Sequence, residues 1–122
     1  MKFVKITSPN FDMVQARPLK YIIIHYTGMN SQKDAIKKLQ SRVAKVSTHY
    51  LISKKGVIYQ MVKDHHVAWH AGKSRWKKFN SLNKNSIGIE IHNPGHSHDY
   101  KSFSSKQLKS LKFLLKRLIK KY

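Results

Sequence analysis

The sequence predicts an α/β domain in which a mixed β-sheet is flanked by helices. Two observations support this prediction. Segments with the apolar or alternating pattern of β-strands alternate along the chain with two segments that have the apolar periodicity of amphipathic helices. At 122 residues the chain is long enough for one hydrophobic core and too short for two. We therefore expect one domain over residues 21–122, preceded by an irregular N-terminal lead over residues 1–20.

The first strand and the first helix are predicted between residues 21 and 43. Tyr21–Tyr26 is a continuous apolar run, which is typical of a strand covered on both faces. Ser31 then opens a helix, with Asp34 three residues later as its capping-box partner. The apolar stripe expected on this helix consists of Ala35, Ile36, Leu39 and Val43.

A hairpin and a long loop are predicted next. Residues 49–52 and 57–62 have strand-like composition and flank the turn residues Lys54, Lys55 and Gly56. Residues 64–85 show no sustained periodicity and are predicted to be loop.

The last strand and the last helix follow this loop. In residues 86–92 the isoleucines alternate with polar or small residues, which is the period of a half-buried strand, and residues 93–95 break it. Ser104 and Gln107 form the capping box of a helix that runs to Lys121. Its predicted stripe consists of Leu108, Leu111, Leu115 and Leu118.

The composition favours anionic partners without specifying one. The net charge is +20 at pH 7, which would attract nucleic acid, anionic lipid or wall polymers. The lysines, however, are scattered along the whole chain and are not interleaved with arginines and aromatic residues as in nucleic-acid readout. We therefore interpret lysine as the general surface residue of the chain and predict no specific nucleic-acid partner.

The sequence contains no targeting or membrane-spanning pattern. There is no cysteine, the N-terminus lacks the apolar run of a secretory signal, and no segment approaches the roughly 20 apolar residues of a membrane span. We expect a cytoplasmic location, with the cell envelope or the extracellular space reached by another route as the alternative. The oligomeric state is not indicated.

Glu90 is the first candidate functional residue, because it is the only glutamate in the chain and lies on the polar face of the strand at residues 86–92. A buried carboxylate is costly unless it is paired or takes part in chemistry. A structural ion pair with a lysine and a catalytic role are both open at this point.

The eight histidines are candidate metal ligands. His25 ends an apolar strand, where it is either a core residue or a metal ligand, and spacing alone favours the core residue. His65 and His66 are expected to be solvated in a polar turn. No spacing matches a short zinc signature, although three histidines cluster after the Glu90 strand and could chelate a metal: His92, His96 and His98.

Taken together, three ordered parts of the sequence resemble one known family. They are residues 22–27, residues 46–52 with 55–62, and residues 68–72 with 82–83 and 86–91. This set resembles the zinc-dependent N-acetylmuramoyl-L-alanine amidases of the peptidoglycan-recognition and phage-lysozyme type, nearest to their AmiD branch. The resemblance runs from about Tyr21 to Tyr122.

The resemblance implies a site and a reaction. His25 matches the first zinc ligand of the family, and Glu90 matches the catalytic glutamate that helps to activate the zinc-bound water. Trp69, His70 and Asn83 would line the substrate groove, with a packing role equally open for Trp69. The bond cut would join N-acetylmuramic acid to the L-alanine of the stem peptide, in peptidoglycan or in muropeptides.

One part of the family pattern follows the last helix and is not found before Tyr122. It resembles Gly-His-x-Asp-Ile-Ala-Pro and supplies two further zinc ligands and a lysine that steadies the oxyanion. We therefore expect the domain to be incomplete at its C-terminal end, as a piece of a normal enzyme or as a natural remnant. The third interpretation is a rearranged zinc site that uses other histidines, namely His49, His70, His92 or the pair His96 and His98.

Two functions from different classes follow for the domain. The first is hydrolysis of the muramoyl-alanine amide by zinc-activated water. The alternative is a non-catalytic peptidoglycan-binding remnant of the same fold. A basic nucleic-acid binder is a third hypothesis, which no helix–turn–helix or aromatic RNA-binding pattern supports.

Overall fold

Two helices and a series of short strands make up the described part of the fold. The computed structural model describes residues 1–72, 75–76, 79–95 and 101–122, with only the backbone at residues 75–76 and 79–80. The elements in chain order are β1 (Phe3–Lys5), β2 (Phe11–Asp12), β3 (Tyr21–Tyr26), α1 (Gln32–Gln40), β4 (Tyr50–Ile52), β5 (Ile58–Gln60), β6 (Val67–Ala68), β7 (Arg75–Trp76), β8 (Phe79–Asn80), a 3₁₀ turn (Leu82–Asn85), β9 (Ser86–Ile91) and α2 (Ser105–Lys121).

The main sheet is mixed and has five strands in the order β1-β5-β4-β9-β3. Strand β9 lies between β4 and β3 and is parallel to both. Strands β4 and β5 form the predicted antiparallel hairpin, and β1 adds to β5 in parallel. The predicted α/β fold with a mixed sheet flanked by helices is confirmed.

One face of the sheet packs against α2. The isoleucines of β9 lie on this face because side chains alternate along a strand. Ile87 and Ile89 of β9 form a buried cluster with apolar residues of β4, β5 and α2: Tyr50, Ile52, Ile58, Leu114 and Leu118.

The opposite face packs against α1. Leu51 of β4 forms a second buried cluster with Leu39 of α1 and with Met61. Leu51 is the register partner of Glu90 on β9. Directly paired residues of neighbouring strands lie on the same face, so Glu90 lies on the α1 face of the sheet.

Helix α1 begins where the sequence predicts and ends earlier. The Ser31 hydroxyl accepts a hydrogen bond from the Asp34 backbone N–H, and Leu39 is buried as expected. Ser41 is extended and ends the helix. Val43 therefore lies outside α1 and is 90% exposed. The prediction that Val43 belongs to the apolar stripe of this helix is wrong.

Helix α2 begins at the predicted capping box of Ser104 and Gln107. The predicted stripe is wrong at Leu108, which is 51% exposed. The buried positions in the first turns of α2 are instead occupied by polar residues, which donate hydrogen bonds to backbone carbonyls outside the helix. Gln107 donates to the His92 carbonyl, and Ser110 donates to the Gly56 carbonyl.

Strand β3 is an edge strand in the described sheet. It pairs with β9 on one side, and Ile24 and Tyr26 are 46% and 48% exposed. The prediction that Tyr21–Tyr26 is covered on both faces is therefore wrong. An apolar run identifies a strand, but it does not distinguish a central strand from an edge strand.

The N-terminal residues and the predicted loop contain regular structure. The irregular start predicted for residues 1–20 is wrong, because β1 joins the main sheet and β2 pairs with β6. The described part of the predicted loop over residues 64–85 contains three short strands and a 3₁₀ turn. The division into a lead and a domain beginning at residue 21 stays a prediction. Within the described ranges, neither helix is long and apolar enough to cross a bilayer.

Candidate active site

A cleft of about 170 Å³ lies between α1 and the sheet. Its walls come from the end of β3 and the residues that follow it, from α1, from the segment before β4, from the segment after β6 and from β9. The residues that line it are His25, Tyr26, Thr27, Met29, Ala35, Lys38, Leu39, Val46, Ser47, Trp69, His70 and Glu90.

His25 and Glu90 lie side by side in this cleft. They are register partners on the parallel strands β3 and β9, so their side chains share the α1 face. Two candidate residues that are 65 positions apart in the sequence are thus brought together by one strand pairing. An imidazole and a carboxylate in one cleft are the groups expected for metal binding and proton transfer.

The environment of Glu90 favours proton transfer over a structural ion pair. Burial raises the pKa of Glu90 to about 7, and the positive charge of Lys38 acts in the opposite direction. In the part of the chain that the structure describes, the ion pair found joins Lys121 to Asp64 and does not involve Glu90. A carboxyl group that titrates near neutral pH can both accept and return a proton.

His70 extends the site from the other side of the cleft. Its Nδ1 lies 3.1 Å from Nε2 of His25, and its Nε2 lies 3.0 Å from the Ser86 hydroxyl oxygen. Burial, with smaller contributions from the nearby His49 and His25, lowers the pKa of His70 to about 3. His70 is therefore neutral at neutral pH and acts as a hydrogen-bonding group.

The sequence profile of the N-acetylmuramoyl-L-alanine amidases matches residues 15–122 of this chain. The chain belongs to this amidase family. The family resemblance predicted from the three ordered parts of the sequence is confirmed.

Two amidases show the relationship at the level of sequence. The chain is 33% identical over 116 residues to the N-acetylmuramoyl-L-alanine amidase AmiD of Escherichia coli K12, covering 85% of the chain and 41% of AmiD. It is 41% identical over 69 residues to the N-acetylmuramoyl-L-alanine amidase A of Achromobacter lyticus, covering 56% of the chain and 34% of that amidase. The chain thus spans less than half the length of these relatives.

Solved amidase structures show the same fold. AmpDH3 from Pseudomonas aeruginosa, in complex with anhydromuramic pentapeptide, has a TM-score of 0.79 and 27% identity over 96% of this chain and 52% of its own. AmiD from E. coli, in complex with anhydro-N-acetylmuramic acid-L-Ala-D-γ-Glu-L-Lys, has a TM-score of 0.75 and 33% identity over 90% of this chain and 47% of its own.

The two other predicted groove residues of the amidase cleft take different places. Trp69 lines the cleft, and its backbone N–H donates to the Ser47 hydroxyl at 2.9 Å. Asn83 is not among the lining residues. Its side-chain oxygen accepts hydrogen bonds from the backbone N–H groups of His70 and Ala71 at 3.1 and 2.8 Å. Asn83 thus holds the segment that carries His70, and the substrate-binding roles of Trp69, His70 and Asn83 stay predictions.

Arg17 supports the amidase site and is a residue that the sequence analysis missed. Its guanidinium group donates to the backbone carbonyls of Asn83, Ser86 and Asp64 at 3.1, 2.7 and 2.9 Å. These bonds fix the 3₁₀ turn and the start of β9, which carry the partners of His70. No sequence pattern marks Arg17, whose partners lie at least 32 positions away.

Gly88 is a second missed residue, and here a signal exists. A β-carbon at this position would lie 2.4 Å from Cγ of His70, so the ring occupies the space beside the glycine backbone. An isolated glycine inside a strand pattern often marks such a close approach.

His49 is a structural histidine in this fold. It is fully buried, its Nδ1 accepts the Gly88 backbone N–H at 3.1 Å, and its Nε2 lies 2.8 Å from the His66 carbonyl, to which it donates. Burial lowers the pKa of His49 to about 4. Both ring nitrogens are thus occupied by backbone groups, which argues against His49 as a metal ligand.

The described residues do not by themselves form a complete zinc site. No group of three His, Cys, Asp or Glu side chains that could hold a metal is present among them. His92 has its Nδ1 3.1 Å from the Thr27 hydroxyl, and the predicted candidates His96 and His98 lie outside the described residues. Within these limits a rearranged site built from His49, His70 and His92 is not formed, and the role of His25 as a zinc ligand stays a prediction.

Proposed function

We propose that this chain forms an amidase domain that hydrolyses the bond between N-acetylmuramic acid and L-alanine in peptidoglycan or muropeptides. The observation that carries the proposal is the pairing of His25 with a glutamate whose pKa is raised to about 7, in the cleft of an amidase-family fold. Two solved relatives are bound to anhydromuramoyl peptides, and we propose a ligand of that class for this chain.

Glu90 carries the proton in the proposed reaction. As a base it accepts a proton from the attacking water while the water oxygen bonds to the lactyl carbonyl carbon. The carbon–nitrogen bond then breaks, and Glu90 returns the proton to the departing L-alanine nitrogen. The products are the lactyl carboxylate and a peptide with a free amino group. A pKa near neutral pH suits both transfers.

Zinc is the proposed metal. When bound, it polarises the amide carbonyl and lowers the pKa of a bound water molecule towards ~7. His25 is the ligand that we assign to it among the described residues. The described residues contain no group of three metal-ligating side chains. This observation supports the second candidate function, a peptidoglycan-binding domain without turnover.

One experiment separates the two functions. The protein, supplied with zinc, is incubated with anhydro-N-acetylmuramic acid-L-Ala-D-γ-Glu-L-Lys, and the released tripeptide is measured by mass spectrometry. Hydrolysis that falls at least ~100-fold in Glu90→Gln supports the amidase proposal, because general acid–base catalysis contributes about 10²–10⁴-fold. Asp12→Asn, which changes an exposed carboxyl group, is the matched control and keeps the wild-type rate.

Binding without turnover would overturn the amidase proposal. In that case the muropeptide binds with equal affinity in the presence and absence of a chelator, and the tripeptide is not released. Isothermal titration calorimetry of the same peptide measures this affinity.

A further inference from the structure

A chain of hydrogen bonds leads from the backbone of the 3₁₀ turn to His25. The Ser86 hydroxyl donates to the Leu82 carbonyl at 2.6 Å. A hydroxyl group has one hydrogen to donate and two lone pairs that accept. Since its hydrogen points to Leu82, the Ser86 oxygen must accept from the His70 Nε2 that lies 3.0 Å away.

This direction fixes the hydrogen on His70. With the hydrogen on Nε2, the neutral ring has an unprotonated Nδ1 that accepts. That Nδ1 lies 3.1 Å from Nε2 of His25, and two unprotonated nitrogens at this distance would repel each other. His25 must therefore carry its hydrogen on Nε2 and donate it to His70.

The consequence is a single tautomer of His25. Its Nε2 is the donor, and its Nδ1 is left with a free lone pair that accepts no hydrogen bond from the described residues. The hydrogen bond of one ring nitrogen determines which of the two is available to a ligand or a proton.

We propose that Ser86 and His70 are positioning residues that hold His25 in the Nε2–H tautomer. This proposal deepens the proposed function, because His25 is the residue that lies beside Glu90. Neither positioning residue needs to touch the substrate. Ser86 acts through His70, and His70 acts through His25.

Other contacts hold Ser86 and His70 of this hydrogen-bond chain, called the relay below, in place. Ser86 is fully buried, and Arg17 binds its carbonyl. The His70 ring occupies the space that Gly88 leaves open, and Asn83 binds the backbone on either side of the His70 α-carbon. Ser86 and His70 are thus each fixed by contacts other than their hydrogen bond to each other.

The test is the tautomeric state of His25, measured by long-range ¹⁵N–¹H NMR on metal-free protein at neutral pH. In the wild type we expect the hydrogen on Nε2 of His25 and on Nε2 of His70. In Ser86→Ala the acceptor for His70 is lost, so both tautomers of His25 become populated. Ser86→Thr keeps the hydroxyl and restores the single tautomer.

Ser110→Ala is the matched control. Ser110 is also a buried serine whose hydroxyl donates to a backbone carbonyl, that of Gly56, but it has no histidine partner among the described residues. We expect the His25 spectrum of Ser110→Ala to equal that of the wild type. A merely structural role of Ser86 would leave the His25 tautomer unchanged as well.

Two results would overturn the proposal. A hydrogen on Nδ1 of His25 in the wild type would contradict the direction of the relay, and this measurement needs no variant. If folded Ser86→Ala kept the same single tautomer of His25, Ser86 would have no part in holding that tautomer. Because neither readout depends on turnover, the proposal can fail while the amidase function stands, and the reverse also holds.

Discussion

The ring of His70 lies where a side chain of residue 88 would be, because a β-carbon at Gly88 would come within 2.4 Å of the ring. We therefore predict that Gly88→Ala forces the ring or the strand to move. Overpacking of this kind typically costs about 1–3 kcal/mol, which is measured as the change in the free energy of unfolding in urea.

The matched comparison for this prediction is a double-mutant cycle with His70→Ala. If the ring causes the cost, Gly88→Ala is much less destabilising in the His70→Ala background, because the clash is gone. An equal cost in both backgrounds would show that the alanine disturbs β9 in another way.

Glu90 gives the protein a pH-dependent loss of stability. Its pKa is about 7 in the folded protein, compared with an ordinary value of 4.5. Between these values the unfolded chain has released the proton and the folded protein retains it. Stability therefore falls as the pH rises from about 4.5 to about 7, and this contribution is constant above that range.

We predict that Glu90→Gln removes this loss. The variant and the wild type should have similar free energies of unfolding near pH 4.5, and the variant should be more stable by about 3 kcal/mol at neutral pH and above. Urea denaturation of both proteins across this range measures the difference. A difference that does not change with pH would contradict the raised pKa of Glu90.

His49 is predicted to matter for stability. His49→Ala leaves the Gly88 N–H and the His66 carbonyl without their partner, and each unsatisfied buried group costs about 1–3 kcal/mol. We expect a loss of about 2–5 kcal/mol in the free energy of unfolding. His65→Ala, which truncates an exposed neighbouring histidine, is the control and should change stability by less than about 0.5 kcal/mol.

The pH dependence of His49 has the opposite sign to that of Glu90. Its pKa is lowered to about 4 in the folded protein from an ordinary 6.5. The unfolded chain therefore binds the proton first as the pH falls, and the stability supplied by neutral His49 is lost between about pH 6.5 and pH 4. The same urea series on His49→Ala should show a weaker acid destabilisation than the wild type.

The sequence predicted those parts of the site that local patterns encode. The alternation in residues 86–92 placed Glu90 opposite the isoleucine face, and the capping signals at Ser31 and Ser104 located both helix starts. These features depend on periodicity and backbone hydrogen bonding within a few residues. They were therefore predictable without knowledge of the tertiary structure.

The parts that could not be predicted depend on contacts between distant residues. The strand order that makes β3 an edge strand of the described sheet cannot be predicted from the apolar run of β3 alone. The exposure of Leu108 follows from the bonds of two buried polar residues of α2, Gln107 and Ser110. Spacing also gave no sign that His25 and His70 face each other across 45 positions.

Arg17 provides the last prediction and tests whether residues 1–20 are separate from the domain. Its guanidinium group binds three carbonyls of the segments around the site. Hydrogen bonds to charged groups contribute about 1.5–3 kcal/mol each, so we expect Arg17→Ala to lower the free energy of unfolding by at least about 3 kcal/mol. Arg17→Lys should restore only part of it, because a single ammonium group lacks the fork of donors.

The control for this prediction is Arg42→Ala, which removes an exposed arginine and should change stability by less than about 0.5 kcal/mol. If Arg17→Ala behaved like the control, Arg17 would not join residues 1–20 to the domain, and the strand pairings of β1 and β2 would be their remaining link. A large loss, measured in the same urea titration, would instead make them part of the folded unit, because the bonds of Arg17 fix the 3₁₀ turn and β9, on which Glu90 and the partners of His70 are placed.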